Sequence, residues 1–598
     1  MLGVGRYARR AFEIVWSTHR GLTLAFLAGS ILAGVLPAIS AYFGKEIVDA
    51  VLSAAQHQSE VNFPDYLHAA LFWVVVEGIS VAALVATQSW LALSSALLRV
   101  RLGHAVNRTI LEKALTLELA HFENAEFYDK LTRARREASS RPLSLVSRTF
   151  GLVQALISVS VSAALLWKFS PWIVVLVAFA GLPSFVVEAR LAQDAFRLFR
   201  FRSPESRMQI YLEGLLARED YAKEVKIYGL GPLFLRRYQA IFDKIYGEDK
   251  ALTLRRNVWA MALGLVATAL FYGLYAWVVY EAAWGRLGLG DMTLNLLLLR
   301  QVQQSVATAL AAVSRMYEDN LYLSTLDEYL AQKASDDDGA QKVGASPGTG
   351  LRFEAVSFRY PGTERDVLED ISFEIRPGQV LALVGENGSG KTTLIKLLAR
   401  LYRPTKGIIY LDETPLDQWE HAALLARLSV VFQDFTSYQF TVGENIGAGD
   451  VARFEDRDAW QSAAAKGLAA PFIDTMAKRY DTQLGKWFRD GVELSGGQWQ
   501  KIALSRAFMR EGSDIVVLDE PTAAMDAAAE VEVFDYVRAS AATKMVVLIS
   551  HRFSTVRAAD RILVMNRGRV VESGTHEELL VLDGIYARLF NLQAAGYR

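Results

Sequence analysis

Six apolar stretches in the first 330 residues constrain this chain more than any other feature. They lie near 21–43, 67–98, 149–169, 171–189, 257–280 and 292–314. About twenty helical residues, rising 1.5 Å each, cover the roughly 30 Å hydrocarbon layer of a bilayer. Each stretch is therefore read as a membrane span, which accounts for a hydrophobic content of 52 % and a positive mean hydropathy in a chain of 598 residues. The sixth stretch is interrupted by Arg300, Gln301, Gln303 and Gln304. The first follows Arg6, Arg9, Arg10 and Arg20 but runs on without a cleavage site, so it reads as a span and not as a signal peptide.

Charge sets the orientation. The N-terminus and the segments 99–148 and 190–256 are rich in Lys and Arg, whereas the connections near 44–66, 168–171 and 281–291 are poor in them. The positive-inside rule then puts both termini in the cytoplasm. The two basic segments keep helical periodicity, as in LEKALTLELAHF and EVKIYGLGPLFLRRYQ, so the spans are expected to continue as helices into the cytoplasm. Most of their charges are an ordinary solvated face; the turning points near 123–128 and 219–228 are expected to touch the soluble half. A net charge of −1 gives no global argument for a nucleic-acid partner. The absence of cysteine excludes disulfides, thiolate metal sites and cysteine nucleophiles.

Residues 333–350, KASDDDGAQKVGASPGTG, are polar and Gly-rich with no hydrophobic period, and read as a linker between a membrane domain, 1–332, and a soluble domain, 351–598. Beyond the linker, short strand-like runs (VLALVG, DIVVLDE, KMVVLIS) alternate with helical segments. That alternation predicts an α/β domain around a buried, largely parallel sheet.

GENGSGKTT follows the strand VLALV and opens a helix, the context that a phosphate-binding loop requires. In it Gly385, Glu386, Asn387, Gly388, Ser389 and Gly390 would turn backbone N–H groups towards phosphates, Lys391 would reach the β and γ oxygens, and Thr392, beside Thr393, would ligate Mg2+. IVVLDE adds a strand ending in two carboxylates: Asp519 to hold the metal and Glu520 to orient or deprotonate the attacking water. A strand ending in Asp-Glu is ordinarily only a solvated strand end; the phosphate loop reverses that reading. Three more residues make sense beside a nucleotide. They are Tyr360 in FRYPG as a stacking ring for adenine, Gln433 in VVFQDF as a reach towards metal and water, and His551 in LISHR as a donor to the γ-phosphate.

Between these lies LSGGQ, with Ser495, Gly496, Gly497 and Gln498. A bare helix start of this kind offers free N–H groups and no side chain to obstruct an anion. With it the soluble half resembles the nucleotide-binding domain of ATP-binding cassette (ABC) transporters, and the whole chain resembles an exporter-type half-transporter. The resemblance implies an A-loop at Tyr360, a Walker A loop at 385–392, a Q-loop at Gln433, a signature at 494–498, a Walker B pair at Asp519 and Glu520, a D-loop at Asp526 and a switch at His551. The D-loop reads AAMD where SALD is commoner.

The resemblance also implies ATP and Mg2+, and a signature that caps the γ-phosphate held by a second chain. A partner half-transporter is required; since neither the glutamate, the signature nor the histidine is replaced, a homodimer is favoured. The expected function is ATP-driven export by alternating access from a bacterial inner membrane, with an importer on the same scaffold, or an ATPase that gates or signals, as alternatives. No peptidase is expected ahead of the first span. Arg300, Gln304, Thr308 and Arg315 share nearly one helical stripe. They either line a translocation cavity, with Glu77, Tyr272 and Tyr275 as companions, or join helices to one another.

Overall fold

The protein was analysed as a computed structural model that describes residues 12–58, 63–124, 127, 131, 141–167, 169–201, 203–332, 339–522 and 525–595. It divides into two compact units, one of residues 1–117 and 124–332, the other of Glu118–Glu123 and Lys333–Arg598.

The first unit is helical. Its long helices are α1 (Arg20–Gln56), α2 (Phe63–Leu115), α4 (Arg141–Leu166), α5 (Pro171–Phe201), α8 (Gly231–Ala283) and α9 (Leu289–Leu330), and each of the six apolar stretches falls on one of them. Among the described residues five of these helices carry a segment long and apolar enough to cross a bilayer; the stretch at 171–189 lies on α5, outside that set. In hydrocarbon every backbone polar group has to be satisfied within its own segment, which only a continuous helix achieves. The helices overrun the bilayer: α2 and α8 each have 53 residues, about 80 Å at 1.5 Å per residue. Between α5 and α8 the chain forms α6 (Ser203–Ala217) and α7 (Glu219–Ile227). Facing serines join α4 to α9, where Ser158 Oγ accepts from Gln301 Nε2 at 2.8 Å and from Ser305 Oγ at 3.0 Å.

The second unit has two sheets. The larger runs β10-β9-β3-β8-β7-β6, with β9 (Arg561–Asn566), β3 (Val380–Gly385), β8 (Met545–Ile549), β7 (Ile515–Asp519) and β6 (Leu428–Val431) parallel and β10 (Arg569–Gly574) antiparallel at the edge. β3, β7 and β8 are buried along their whole length, as β-branched and leucine runs covered on both faces should be. Alternate side chains of β3 go to opposite cores. Leu381 and Leu383 pack with α10 (Lys391–Leu398), while Val380, Ala382 and Val384 pack with α11 (Gly496–Phe508) and α12 (Ala527–Ala541). A smaller antiparallel sheet, β2-β1-β4-β5, formed by β1 (Leu351–Phe358), β2 (Leu368–Ile375), β4 (Lys406–Leu411) and β5 (Thr414–Pro415), closes the first of these cores.

Residues 339–350 lie along this smaller sheet. Ala345 N donates to Thr414 Oγ1, and Gly348 N and Gly350 N donate to Asp412 Oδ1 at 3.0 and 3.1 Å. The other oxygen of Asp412 accepts from Arg427 at 2.6 Å. The short helix α3 (Leu119–Phe122) also packs with the second unit, Leu119 and Ala120 resting on its core.

Candidate functional site

Strand β3 delivers the chain into the loop 385–390, and the turn into α10 is made at Gly390 with φ +103°, where a Cβ would stand 2.5 Å from Leu368. Only glycine meets both conditions. Lys391 is 7 % exposed and folds back, its Nζ donating to the carbonyls of Gly385 at 2.8 Å and Glu386 at 3.0 Å. Burial lowers its pKa against the pull of Glu520 and Asp519. The ammonium is thus parked on two loop carbonyls, poised over the concave side of the loop. Asn387 and Gly388 form the loop tip between Glu386 and Ser389, and Ser389 Oγ is buried without a partner among the described residues.

The end of β7 lies against this loop. Thr392 Oγ1 donates to Asp519 Oδ2 at 2.9 Å, and Asp519 Oδ1 is buried with no partner among the described residues. Burial pushes the Asp519 carboxyl up to about 6, opposed by the Thr392 hydrogen bond. An orphaned carboxylate oxygen beside a threonine hydroxyl is a donor set that suits a hard divalent cation. One residue on, the Glu520 carboxylate accepts from Gln433 Nε2 at 2.9 Å and lies 2.9 Å from His551 Nε2. Gln433, Asp519, Glu520 and His551 come from the ends of three neighbouring parallel strands, β6, β7 and β8, so the sheet register assembles the cluster.

Tyr360 joins the loop from the other side, its hydroxyl 3.1 Å from Thr393 Oγ1. Two residues that the sequence did not single out flank its ring: Tyr402 meets it edge-on at 5.2 Å and Lys396 Nζ stands 5.5 Å from its centre. Both also bind Glu123. Lys396 Nζ donates to that carboxylate at 3.2 Å and Tyr402 gives it its hydroxyl. Of the turn expected at 123–128, Glu123 therefore does reach the soluble half; residues 125, 126 and 128 lie outside the described residues. No local pattern marks Tyr402 or Lys396, since their role depends on a residue far away in the chain.

The signature segment forms a capped helix start. Ser495 Oγ accepts from Gln498 N at 3.3 Å and Gln498 Oε1 accepts from Ser495 N at 3.0 Å, leaving the N–H groups of Gly496 and Gly497 as the helix's outward donors. Among the described residues no hydrogen bond joins Ser495, Gly496, Gly497 or Gln498 to the phosphate loop of the same chain. Asp526 caps α12, its Oδ1 accepting from Ala529 N at 2.8 Å; Ala523 and Ala524 before it lie outside the described residues.

In the first unit Arg300, Gln304, Thr308 and Arg315 all stand on the exposed face of α9, while Gln301 and Ser305 take the adjoining face, Gln301 half-buried and Ser305 buried. Among the described residues the stripe makes no hydrogen bond or ion pair to another helix, whereas the serine and Gln301 cluster does. Tyr272 is exposed and Tyr275 lies beside it on α8, and Glu77 is half-buried on α2. A cavity of about 310 Å³ opens between α5, α8 and α9, walled by apolar residues such as Leu263, Phe271 and Leu310, with Gln303 and an ion pair of Glu188 and Arg256 in its lining.

Residues 368–523 match the ABC transporter family. Over nearly its whole length the chain is similar to the subtilin transport ATP-binding protein SpaT of Bacillus subtilis, 29 % identical over 98 % of this chain and 94 % of that protein. It is also similar to the ATP-dependent lipid A-core flippase of Bordetella avium, 28 % identical over 98 % and 96 %. The nisin transport ATP-binding protein NisT of Lactococcus lactis subsp. lactis is 26 % identical over 97 % and 94 %. The fold is that of a bacterial Atm1-family ABC exporter solved with ATP bound, TM-score 0.81 over 95 % of this chain and 98 % of that one at 23 % identity. Motifs, full-length relatives and fold agree: residues 368–523 form an ABC transporter domain, and the chain joins it to long apolar helices in the layout of the half-transporters it is similar to.

Proposed function

We propose that two copies of this chain form an exporter that moves an amphipathic cargo out of the cytoplasm across a bacterial inner membrane, with both termini cytoplasmic. ATP-driven export is the activity of the half-transporters to which the chain is similar. The observation that carries the mechanism is the convergence of Gln433 and His551 on the Glu520 carboxylate beside the phosphate loop. In this reading the domains run 1–332 and 351–598, with 333–350 between them. Lys391 leaves its loop carbonyls for the β and γ phosphates, and the N–H groups of the loop 385–390 hold the remaining charge. Tyr360 stacks on adenine. Glu520 orients the attacking water and accepts its proton, while His551 donates to the γ-phosphate. Thr392, Gln433 and Asp519 would hold Mg2+, which would neutralise charge on the phosphate oxygens.

Ser495, Gly496, Gly497 and Gln498 of one protomer cap the phosphate bound by the other, with the loop at Asp526 between the two sites. Reversing a 1:99 preference between inward- and outward-open states to 99:1 needs about 5.5 kcal/mol of differential binding, which two clamped nucleotides can supply. Glu123, held by Lys396 and Tyr402 beside Tyr360, transmits that closure to α2. The exposed Ile227 and Tyr228 at the end of α7 are the second element assigned to this coupling. The exposed Arg300 and Arg315 and the apolar cavity of the first unit suit a cargo with an anionic group and an apolar body. The names of the relatives, which include a lipid A-core flippase and subtilin and nisin transporters, point the same way. Purified protein in proteoliposomes, given ATP outside and screened against lipids, peptides and dyes, tests the proposal. Accumulation in the lumen supports export; ATP turnover without flux of any of them would refute it.

A further inference from the structure

Glu520 holds a left-handed backbone, φ +49°, a conformation that a non-glycine residue keeps only where its surroundings over-determine it. Its N–H donates to the Ile549 carbonyl at 2.9 Å, a bond that the sheet supplies. Its carbonyl accepts from the side chain of Gln500, Nε2 to O 3.0 Å. The next residue is Pro521, which has no N–H, so that carbonyl is the one polar group by which the 520–521 peptide plane can be held. Gln500 is 4 % exposed and stands on α11, the helix whose first turn carries the signature.

We propose that Gln500 is a positioning residue for Glu520: by gripping its carbonyl it sets the peptide plane that aims the carboxylate at Gln433 and His551, and it ties that aim to the signature helix of the same chain. The inference rests on the reading of Glu520 as the group that orients the attacking water. Rotation of the 520–521 peptide would swing the carboxylate away from both partners without altering the phosphate loop, whose contacts run through Lys391 and Thr392. Loss of the grip therefore acts on the chemical step and spares nucleotide binding.

The test uses the full-length protein in nanodiscs, with ATP hydrolysis followed against ATP concentration for wild type, Gln500→Met, Gln500→His and Glu520→Gln. Methionine keeps the volume and removes the donor; histidine restores a ring N–H at similar reach. Gln500→Met should lower kcat about 10- to 100-fold with KM within about twofold of wild type, as a misaimed catalytic group does. Gln500→His should recover most of that loss. Should the methionine variant fail to fold, Gln500→Glu, which sets an acceptor against the carbonyl, is read by the same criteria. Wild-type kcat in the donor-free variant, or equal losses in kcat and ATP affinity that histidine does not reverse, overturns the proposal. Wild-type hydrolysis by Glu520→Gln would instead remove the reading beneath it.

Discussion

Tyr402 donates its hydroxyl to the carboxylate of Glu123, 279 positions away in the chain, and the same carboxylate accepts from Lys396. Burial and the neighbouring carboxylate raise the tyrosine pKa, so the hydroxyl stays protonated and the contact persists through the physiological range. The turn after α2 is thereby fixed to the ring cluster around Tyr360. With side chains 24 % and 44 % exposed, the Lys396–Glu123 pair is worth about 0–1 kcal/mol to stability. Its proposed role is as a transmitted contact. Glu123→Lys should leave basal hydrolysis near wild type and shift Tm by no more than about 2–4 °C, while transport per ATP falls severalfold. Adding Lys396→Glu should restore part of the coupling. Unchanged transport per ATP in the single variant would show that this contact transmits nothing.

Glu520→Gln keeps the shape of the side chain and the approach of Gln433 but gives up the proposed base. ATP binding should persist, and hydrolysis should fall by about 10²- to 10⁴-fold. Nucleotide trapping measured beside phosphate release checks both halves.

Asp519 yields a pH signature in the nucleotide-free protein. Its carboxyl is pushed up to about 6 by burial, so the folded state holds the proton more tightly than the unfolded chain, where the value is about 3.9. This favours folding below about pH 4 and is lost as pH rises through about 6. At pH 7–8 the ionised, half-orphaned carboxylate is a net strain on the fold. Asp519→Asn should therefore raise Tm of the nucleotide-free protein at pH 8, and the gain should vanish near pH 4. The same variant should lose the stabilisation that Mg2+ and ATP together give wild type. Thermal scans across pH, with and without nucleotide, report both.

Ser495 caps the signature helix at its own end but is proposed to serve the partner's phosphate. In mixed dimers, Ser495→Arg in one protomer should spare nucleotide trapping at that protomer's own phosphate loop and damage it at the loop of the other. Photolabelling with an ATP analogue in differently tagged protomers separates the two. Damage confined to the mutated chain would overturn the paired arrangement.

The sequence disclosed what is local. The phosphate loop, the carboxylates after β7 and the capped start at Ser495 are motifs in which neighbours in sequence are neighbours in space, and the six apolar stretches need only composition. What it hid depends on topology. Tyr402 and Glu123 meet through the packing of α3, and no periodicity encodes that pairing. Residues 339–350 show no hydrophobic period, yet they are held on the smaller sheet through their backbone N–H groups, bonded to Thr414 and Asp412, a kind of anchoring that leaves no mark on side-chain pattern. The left-handed backbone of Glu520 is equally silent in sequence, because glutamate does not signal it.

Arg300 tests the cargo proposed for the membrane half. It stands on the exposed stripe of α9 with Gln304, Thr308 and Arg315, and no hydrogen bond or ion pair engages it among the described residues, whereas the polar contacts joining α9 to α4 use Gln301 and Ser305 instead. An unpaired guanidinium at bilayer depth is expensive and faces water, a partner chain or cargo. Since it makes no hydrogen bond or ion pair among the described residues, Arg300→Ala should leave thermal stability and basal hydrolysis near wild type. It should reduce transport of an anionic amphiphile about 10- to 150-fold, the scale of one charge-assisted hydrogen bond of about 1.5–3 kcal/mol. A neutral amphiphile should be moved at the wild-type rate. Paired uptake assays in inverted vesicles with two such cargoes measure the ratio, and a ratio equal to that of wild type would remove Arg300 from the translocation path.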